Sequence, residues 1–356
     1  MKKRYKKLVD GVLLCVCAAW IFSVGIGFFA LPRERFSEEE NRVLSDFPRA
    51  SLHSVADGSF FSRLSAFYSD RVPLRSFMIR AKAVCELASG KRQNGSVLYL
   101  DGGRLVDRCE YSTLDTLKAN LGEIAAFEDG TVYALVPRSV DVYAGGEEAK
   151  KVTDFVYSYG ICDDTLFEHF KYASDAGERV YYKTDHHLDA DGAYLLYESI
   201  MRSLGETPYE KEEFEEQTVS REFLGSTYSK AGLLDVSRDE VTLFRYDGDE
   251  NIGVSCEDAE CGVKGLYCFD ELEEKDKYEV FLGGNHGVLR VRGEKKGRGE
   301  LLLIKDSFAN AVIPLLARHF DLTVVDPRYT DTIPSGDFRA TVLVFGIDTL
   351  ATGKIF

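Results

Sequence analysis

Three short apolar runs near the C-terminus constrain the fold of this chain more than any other feature of its sequence. Leu301–Ile304, Leu322–Val325 and Thr341–Phe345 consist of Leu, Phe or β-branched residues and lack any alternation with polar ones. Strands have this pattern when both faces of their sheet are covered, as in parallel sheets. The segment Phe308–Phe320 fits a helix, so the first two runs are predicted to form a βαβ crossover.

The first half of the chain also alternates between predicted strands and helices. Ser96–Leu100 and Thr131–Val136 are predicted strands, and Thr113–Phe127 between them has helical spacing. Val180–Tyr182 is a further predicted strand. We therefore expect an α/β fold with a mainly parallel sheet and helices on both faces. The charged stretch 205–295 is interpreted as an insertion or a small subdomain.

The N-terminus has the pattern of a membrane anchor. A basic cluster that ends at Lys7 precedes an apolar run long enough to span a bilayer. The basic segment before the apolar run should stay in the cytoplasm, which places the chain after the run outside the cytoplasmic membrane. A cleaved signal peptide is the alternative, but no small-x-small site precedes Pro32. The predicted segments are a cytoplasmic tail (1–10), a transmembrane helix (11–31), a stalk (32–50) and an extracytoplasmic domain (51–356).

Charge narrows the classes of partner. Residues 1–31 carry five basic residues and one acidic residue, which gives this segment a net charge of +4. Because the whole chain has a net charge of −15, the other 325 residues carry a net charge of −19. Such an acidic body repels polyanions, which makes nucleic acid a poor partner. A polysaccharide remains compatible, because aromatic stacking and neutral hydrogen bonds hold sugars.

The cysteines do not predict a metal centre. Of the eight cysteines, Cys256 and Cys261 are the easiest pair to join by a disulfide on a tight loop. Zinc binding by these two with Cys268 lacks a convincing fourth ligand. We expect no metal and no cofactor.

Two segments carry the side chains of a nucleophilic site. In the first, Asp185 and His187 lie on a loop before a helix that Asp189 is expected to cap. Residues two apart in an extended loop point the same way, so Asp185 could orient the His187 imidazole. The alternative is a metal site at Asp185-His186-His187, which is weakened because neighbouring histidines point in different directions.

The second segment places Ser307 between a buried strand and a helix. The free N–H groups at such a helix start suit an oxyanion. Taken alone, the position of Ser307 favours a simpler role as the N-cap of the helix that starts at Phe308. Together the two segments predict a triad with Ser307 as nucleophile, His187 as base and Asp185 as the residue that orients the base.

The same segments resemble the defining motifs of the DHHW family. The matching residues are Asp185-His186-His187 with Asp191-Gly192-Ala193-Tyr194, Lys305-Asp306-Ser307-Phe308-Ala309-Asn310, Glu40-Asn41-Arg42-x-Leu44 with Pro48, Asp70-Arg71-x-Pro73-x-Arg75 and Phe281-Leu-Gly-Gly-Asn-His286. One departure is Leu188, which stands where the family has Trp. The resemblance implies an SGNH hydrolase-like fold with the Asp-x-His pair before the serine in the chain.

That family is similar to the O-acetyltransferases of alginate biosynthesis. The resemblance implies an O-acetyltransferase that acts on an exported or cell-surface polysaccharide, with acetyl groups supplied by a membrane-bound acyltransferase partner. An acetyl esterase with the same triad and a non-catalytic glycan-binding or assembly protein are the alternatives. Further residues considered for the substrate or oxyanion site are His186, Asn310, Asn285 and Gly225.

Overall fold

A computed structural model describes residues 2–30, 35–37, 42–108, 111, 113–127, 130–162, 165–233, 236–257, 261–263, 265–294 and 297–356. The chain divides into two compact units. The first comprises Met1–Lys91 with Gly232–Leu234, and the second comprises Arg92–Ala231 with Asp235–Phe356.

The first unit is mainly helical. Its elements are α1 (Lys2–Ala30), β1 (Phe36–Ser37), β2 (Arg42–Val43), α2 (Leu52–Ala56), α3 (Ser59–Asp70) and α4 (Arg75–Ala88). Among the described residues, no helix is both long enough and apolar enough to cross a membrane. The anchor predicted for residues 11–31 is not confirmed and stays a prediction.

A six-stranded mixed sheet forms the centre of the second unit. Its strands, in spatial order, are β6 (Val132–Val136), β13 (Ala340–Gly346), β11 (Glu300–Lys305), β12 (Asp321–Val325), β10 (Val288–Arg292) and β9 (Gly253–Cys256). The first four strands run parallel, while β10 and β9 add antiparallel pairs at one edge. The predicted α/β class is confirmed, and the parallel part contains the three apolar runs.

Smaller elements surround this sheet. A three-stranded antiparallel sheet consists of β3 (Gln93–Asn94), β4 (Val97–Tyr99) and β5 (Leu105–Asp107), and an antiparallel ribbon consists of β7 (Glu215–Phe223) and β8 (Asp239–Arg245). The helices are α5 (Asp115–Ile124), α6 (Ser139–Tyr143), α7 (Glu147–Tyr157), α8 (Thr165–Asp175), α9 (Ala190–Ser203), α10 (Ser226–Ala231), α11 (Ile313–Ala317) and α12 (Ile347–Thr352).

Both faces of the central sheet are covered, which explains the unbroken apolar runs. Along β11, Leu301 and Leu303 join a core with α8, α9 and α11, whereas Leu302 and Ile304 join a second core with α5, α7 and α12. Each of these four side chains is buried. Since successive residues of a strand face opposite sides of its sheet, a strand covered on both sides must be apolar throughout.

Two predicted elements differ from the structure. Val180–Tyr182 does not form a strand, because only an isolated bridge joins Tyr181 to Leu188. The single helix predicted over Phe308–Phe320 is instead a short 3-10 turn (Ser307–Ala309) followed by α11. Pro314 in the first turn of α11 explains the second start, since proline favours that position.

Candidate active site

The turn after β11 presents Ser307 at the carboxyl edge of the parallel strands. Asp306, rather than Ser307, caps this turn: its carboxylate accepts the Phe308 N–H at 3.0 Å and the Gly346 N–H at 2.8 Å. These bonds tie the turn to the end of β13. The Ser307 side chain is therefore not needed as a cap and is available for other contacts.

The structure brings Ser307, His187 and Asp185 together, although 120 residues separate the first two. His187 Nε2 lies 2.9 Å from Ser307 Oγ, and His187 Nδ1 lies 2.6 Å from Asp185 Oδ1. An ionised carboxylate only accepts hydrogen bonds, so Nδ1 carries the proton and Nε2 accepts from the serine hydroxyl. All three residues are buried.

The loop that carries His187 is held at both ends. The His187 carbonyl accepts from the Tyr182 N–H at 3.2 Å, and Asp189 N donates to the Val180 carbonyl at 3.1 Å. Asp189 also caps α9, as predicted, by accepting the Gly192 N–H at 3.1 Å. Leu188, at the position of the family's Trp, is buried inside the core and contributes no aromatic ring.

Ser226 fixes the carboxylate of Asp185. Its backbone N–H and its hydroxyl donate to Asp185 Oδ2 at 2.6 and 2.8 Å, while Oδ1 accepts from His187. Asp239 fixes the same loop one residue earlier, by accepting the Thr184 N–H at 2.7 Å and hydroxyl at 2.6 Å. No local pattern in the sequence pointed to these two roles, because both residues reach the loop from other elements.

Tyr278 is a further contact that the sequence did not reveal. Its ring stacks on the His187 imidazole with centroids 3.8 Å apart and planes inclined by 6°. Its hydroxyl donates to the Ser307 carbonyl at 2.9 Å. One side chain thus contacts both the imidazole and the backbone of the serine, which restricts how the two can move relative to each other.

The electrostatics favour a neutral imidazole beside an ionised carboxylate. Burial and the neighbouring His186 together lower the pKa of His187 to about 4. Burial alone would raise the pKa of Asp185, but the two histidines and their hydrogen bonds hold it well below its usual value. His187 is therefore free to accept a proton at neutral pH.

His186 lies beside the triad, where it contacts Ser226 and His187. Its Nδ1 lies 2.8 Å from Ser226 Oγ, and its ring is 3.9 Å from that of His187. Burial disfavours the charged form, but the Asp185 carboxylate outweighs this effect and raises the pKa of His186. It is half-buried, so one face stays open to solvent or substrate.

Asn285 and Asn310 meet around Lys305. The Asn285 side-chain oxygen accepts from Lys305 Nζ and from Asn310 Nδ2, both at 3.2 Å. Lys305 Nζ also donates to the Asn310 oxygen at 2.7 Å. Because two donors hold the Asn285 side-chain oxygen, its side-chain N–H bonds point away from Lys305 and Asn310. The Asn310 side-chain amide, in contrast, already uses both its oxygen and its nitrogen in hydrogen bonds.

A strained turn presents Asn285. Leu282, Gly283 and Gly284 all have positive φ (64°, 67° and 95°), a conformation that costs a non-glycine residue such as Leu282 about 1 kcal/mol or more. The two glycines make the rest of the turn accessible. Such strain persists only where surrounding contacts enforce it, and it often marks a functional position.

Gly225 does not fit the oxyanion role that was considered for it. Its N–H donates to Thr184 Oγ1 at 3.2 Å and is therefore occupied. Instead, the lack of a side chain at Gly225 lets the Asp185 side chain pack directly against its backbone. A Cβ at Gly225 would lie 2.3 Å from the Asp185 Cβ and Oδ2 atoms.

Within the part of the chain that the structure describes, two groups of side chains have the composition of a metal site. Ligand atoms of Asp185, His186 and His187 lie within 4.8 Å of one another, but they are engaged in the hydrogen bonds described above. Cys256, Cys261 and His286 form the other group, in which Cys256 and Cys261 form the predicted disulfide.

The fold and this arrangement define an α/β protein with a Ser-His-Asp constellation at the carboxyl edge of its parallel strands, as in serine hydrolases and acyltransferases. The DHHW protein family model matches residues 149–325, which include both segments of the constellation. The resemblance to the DHHW family noted in the sequence is thereby confirmed. No curated protein sequence is a significant match.

Solved structures share the fold at low sequence identity. A DHHW family protein from Eubacterium siraeum DSM 15702 is 16% identical over 74% of this chain and 94% of its own, with a TM-score of 0.60. PatB1 from Bacillus cereus is 19% identical over 74% of this chain and 99% of its own, with a TM-score of 0.59. The structure of PatB1 with a sulfonyl adduct is 18% identical over 73% and 97%, with a TM-score of 0.58.

Proposed function

We infer that this chain is an extracytoplasmic Ser-His-Asp acyl-transfer enzyme that O-acetylates a cell-surface or exported polysaccharide. The observation that carries the proposal is the continuous hydrogen-bonded path from Ser307 Oγ through His187 to Asp185. Such a path activates a serine hydroxyl, which is a weak nucleophile by itself.

The proposed reaction has two half-reactions. His187 Nε2 takes the proton of Ser307 as Oγ attacks the carbonyl carbon of an acetyl donor, and it returns that proton to the leaving group. A sugar hydroxyl then gives its proton to His187 and attacks the acetyl-serine ester, which releases Ser307 with its proton restored. Asp185 keeps the imidazole in the required tautomer and stabilises the imidazolium that forms in each step.

Asn285 is proposed as a side-chain donor to the oxyanion. Its N–H bonds are not used by the Lys305 network, and the strained turn holds it near the nucleophile segment through Asn310. Preorganised donors of this kind lower the barrier because they need not reorient as charge develops.

Two parts of the proposal, an SGNH-like architecture and an acyltransferase partner that supplies acetyl groups, rest on the DHHW resemblance. The single-pass anchor over residues 11–31 rests instead on the basic cluster and the apolar run at the N-terminus. The PatB1 structure with a sulfonyl adduct supports the choice of a sulfonyl fluoride as a probe of the serine.

Intact mass spectrometry tests the first half-reaction. The full-length chain is incubated with an acetyl ester reporter, and we expect a gain of about 42 Da, one acetyl group, that is absent from Ser307→Ala. Prior treatment with a sulfonyl fluoride should block the gain. An unmodified wild-type protein without turnover would contradict the proposal and favour a glycan-binding role.

The second half-reaction separates a transferase from an esterase. If the chain is a transferase, candidate oligosaccharides should accelerate loss of the acetyl group and carry it in the product. Loss to water at an unchanged rate would instead indicate an esterase.

A further inference from the structure

A buried lysine occupies the last position of β11, where the apolar run of that strand ends. Lys305 is 1% exposed, and Asp326, directly after β12, is 0% exposed. Moving charged groups out of water is costly, and apolar side chains at such positions often stabilise a fold at least as well as a buried ion pair. The burial of Lys305 therefore favours a role other than stability alone.

All three N–H bonds of the Lys305 ammonium have an acceptor. Nζ donates to the side-chain oxygen of Asn310 at 2.7 Å, to that of Asn285 at 3.2 Å and to Asp326 Oδ2 at 3.4 Å. These acceptors lie on three separate segments: the turn that carries Ser307, the turn before β10 and the end of β12. One side chain thus connects the nucleophile turn to the turn that presents Asn285.

Asp326 is itself held in place. Arg328 donates to its two carboxylate oxygens at 2.9 and 2.7 Å, and the Asp326 N–H donates at 3.0 Å to the carbonyl of Gly287, two residues after Asn285. Burial alone would raise the pKa of Asp326, but Arg328 and Lys305 hold it below its ordinary value. Burial lowers the pKa of Lys305, and the ionised carboxylate opposes this effect.

The ammonium determines which end of the Asn285 side-chain amide faces away from the network. Since an ammonium can only donate, the Asn285 oxygen must face Lys305, and the two N–H bonds point the other way. Lys305 fixes the Asn310 amide in the same manner, so that Asn310 Nδ2 donates to the same Asn285 oxygen at 3.2 Å. Without the ammonium this constraint on both amides is lost, and a rotated Asn285 presents an oxygen, which repels an oxyanion.

We propose that Lys305 is a positioning residue that holds the Asn285 amide with its N–H bonds towards the oxyanion. Asn285 makes the contact with the developing charge, and Lys305 acts only through Asn285. This role rests on the proposed function, because the oxyanion forms only if Ser307 attacks an ester. Donors that are fixed beforehand stabilise such a charge because they need not reorient during the reaction.

A double-mutant cycle on the full-length protein tests whether Lys305 acts through Asn285. The measured quantities are the maximal single-turnover rate of Ser307 acetylation by the acetyl ester reporter and the reporter concentration that gives half of it. Asn285→Ala should lower the rate about a hundredfold or more, as for other oxyanion donors. Lys305→Met should lower it at least about tenfold without changing the half-saturating concentration, but less than about twofold when Asn285→Ala is already present.

Arg138→Met is the matched control, since it also removes the cation of a buried ion pair, with Asp141, just after a parallel strand. Its effect on the rate should be the same with and without Asn285→Ala. Asp326→Asn is the second variant if Lys305→Met does not fold. It keeps the size of the side chain, but the buried amine then loses its proton more readily and can accept a hydrogen bond, so it should slow acetylation only while Asn285 is present. Circular dichroism and melting temperatures establish that each variant is folded.

An equal loss from Lys305→Met in both backgrounds, or no loss in either, would overturn the role of Lys305. An undiminished rate for Asn285→Ala would overturn it as well, because Lys305 would then have no donor to position. If wild-type Ser307 is acetylated and the two effects are additive, only the role of Lys305 is refuted. If the wild-type protein is not acetylated, the enzyme function fails, and the role of Lys305 fails with it.

Discussion

His187 is tuned by its neighbours to act as a base over an unusually wide acidic range. Burial and His186 lower the pKa of His187 to about 4, so the imidazole stays neutral, and able to take the serine proton, above that pH. We predict that the rate of Ser307 acetylation is constant from about pH 5 to 7 and falls tenfold per pH unit below about 4. Rates of adduct formation across this range, with circular dichroism to confirm folding, measure the midpoint.

His186→Gln tests the electrostatic cause. Removing the charge of His186 removes one of the effects that lower the pKa of His187, so the acidic midpoint should move upward. The exposed His53→Gln, in the first unit, is the control and should leave the midpoint unchanged. A wild-type midpoint at the ordinary histidine value of about 6.5 would contradict the prediction.

Tyr278 is predicted to position both reacting groups. Tyr278→Phe removes the hydroxyl bond to the Ser307 carbonyl but keeps the ring on His187, so we expect acetylation to slow about threefold to tenfold. Tyr278→Leu also removes the stacked ring, and we expect a further loss of similar size. Single-turnover rates measure both, and equal rates for the two variants would show that the ring plays no part.

The sequence located the three central residues but not those that hold them. Asp185, His187 and Ser307 stand in motifs with recognisable local spacing, so they could be named beforehand. Ser226 and Tyr278 act through contacts across 41 and 29 residues, respectively. Contacts of this kind leave no local pattern in the sequence, because the two residues that make each contact lie in separate segments of the chain.

At the scale of elements, the proposed site requires that the turn at Gly225 pack closely against the loop that carries Asp185 and His187. A methyl group at Gly225 would lie 2.3 Å from atoms of the buried Asp185 side chain, which Ser226 and His187 already fix. We predict that Gly225→Ala slows acetylation at least about a hundredfold by displacing this carboxylate, and that it lowers the melting temperature.

The same substitution elsewhere provides the comparison. A Cβ at the exposed Gly122 of α5 meets nothing within 4 Å, and alanine favours a helix interior, so Gly122→Ala should keep full activity and stability. If Gly225→Ala behaved like Gly122→Ala, the tight packing around Asp185 would not be needed.

For secondary-structure elements, as for residues, prediction from the sequence succeeded where a single segment of the chain contains the whole pattern. The bounds of strands β6, β11, β12 and β13 were predicted to within one residue, because burial on both faces demands continuous apolar runs. The strands β9 and β10 were not identified, since both interrupt their apolar residues with exposed ones, such as Ser255 in β9 and Arg290 and Arg292 in β10. Their place in the sheet follows from long-range pairing, which no window of sequence contains.

At the scale of the whole molecule, the proposed reaction requires that the site face the compartment where the glycan is. The basic cluster ending at Lys7 and the apolar run 11–31 predict one crossing with the C-terminal body outside. We predict that the full chain sediments with membranes and resists extraction by high salt, whereas a variant lacking residues 1–31 does not. In intact spheroplasts, added protease should degrade the body, and a cytoplasmic marker protein should survive. Protection of the body from protease in the same cells would place Ser307 on the wrong side of the membrane for an exported acceptor.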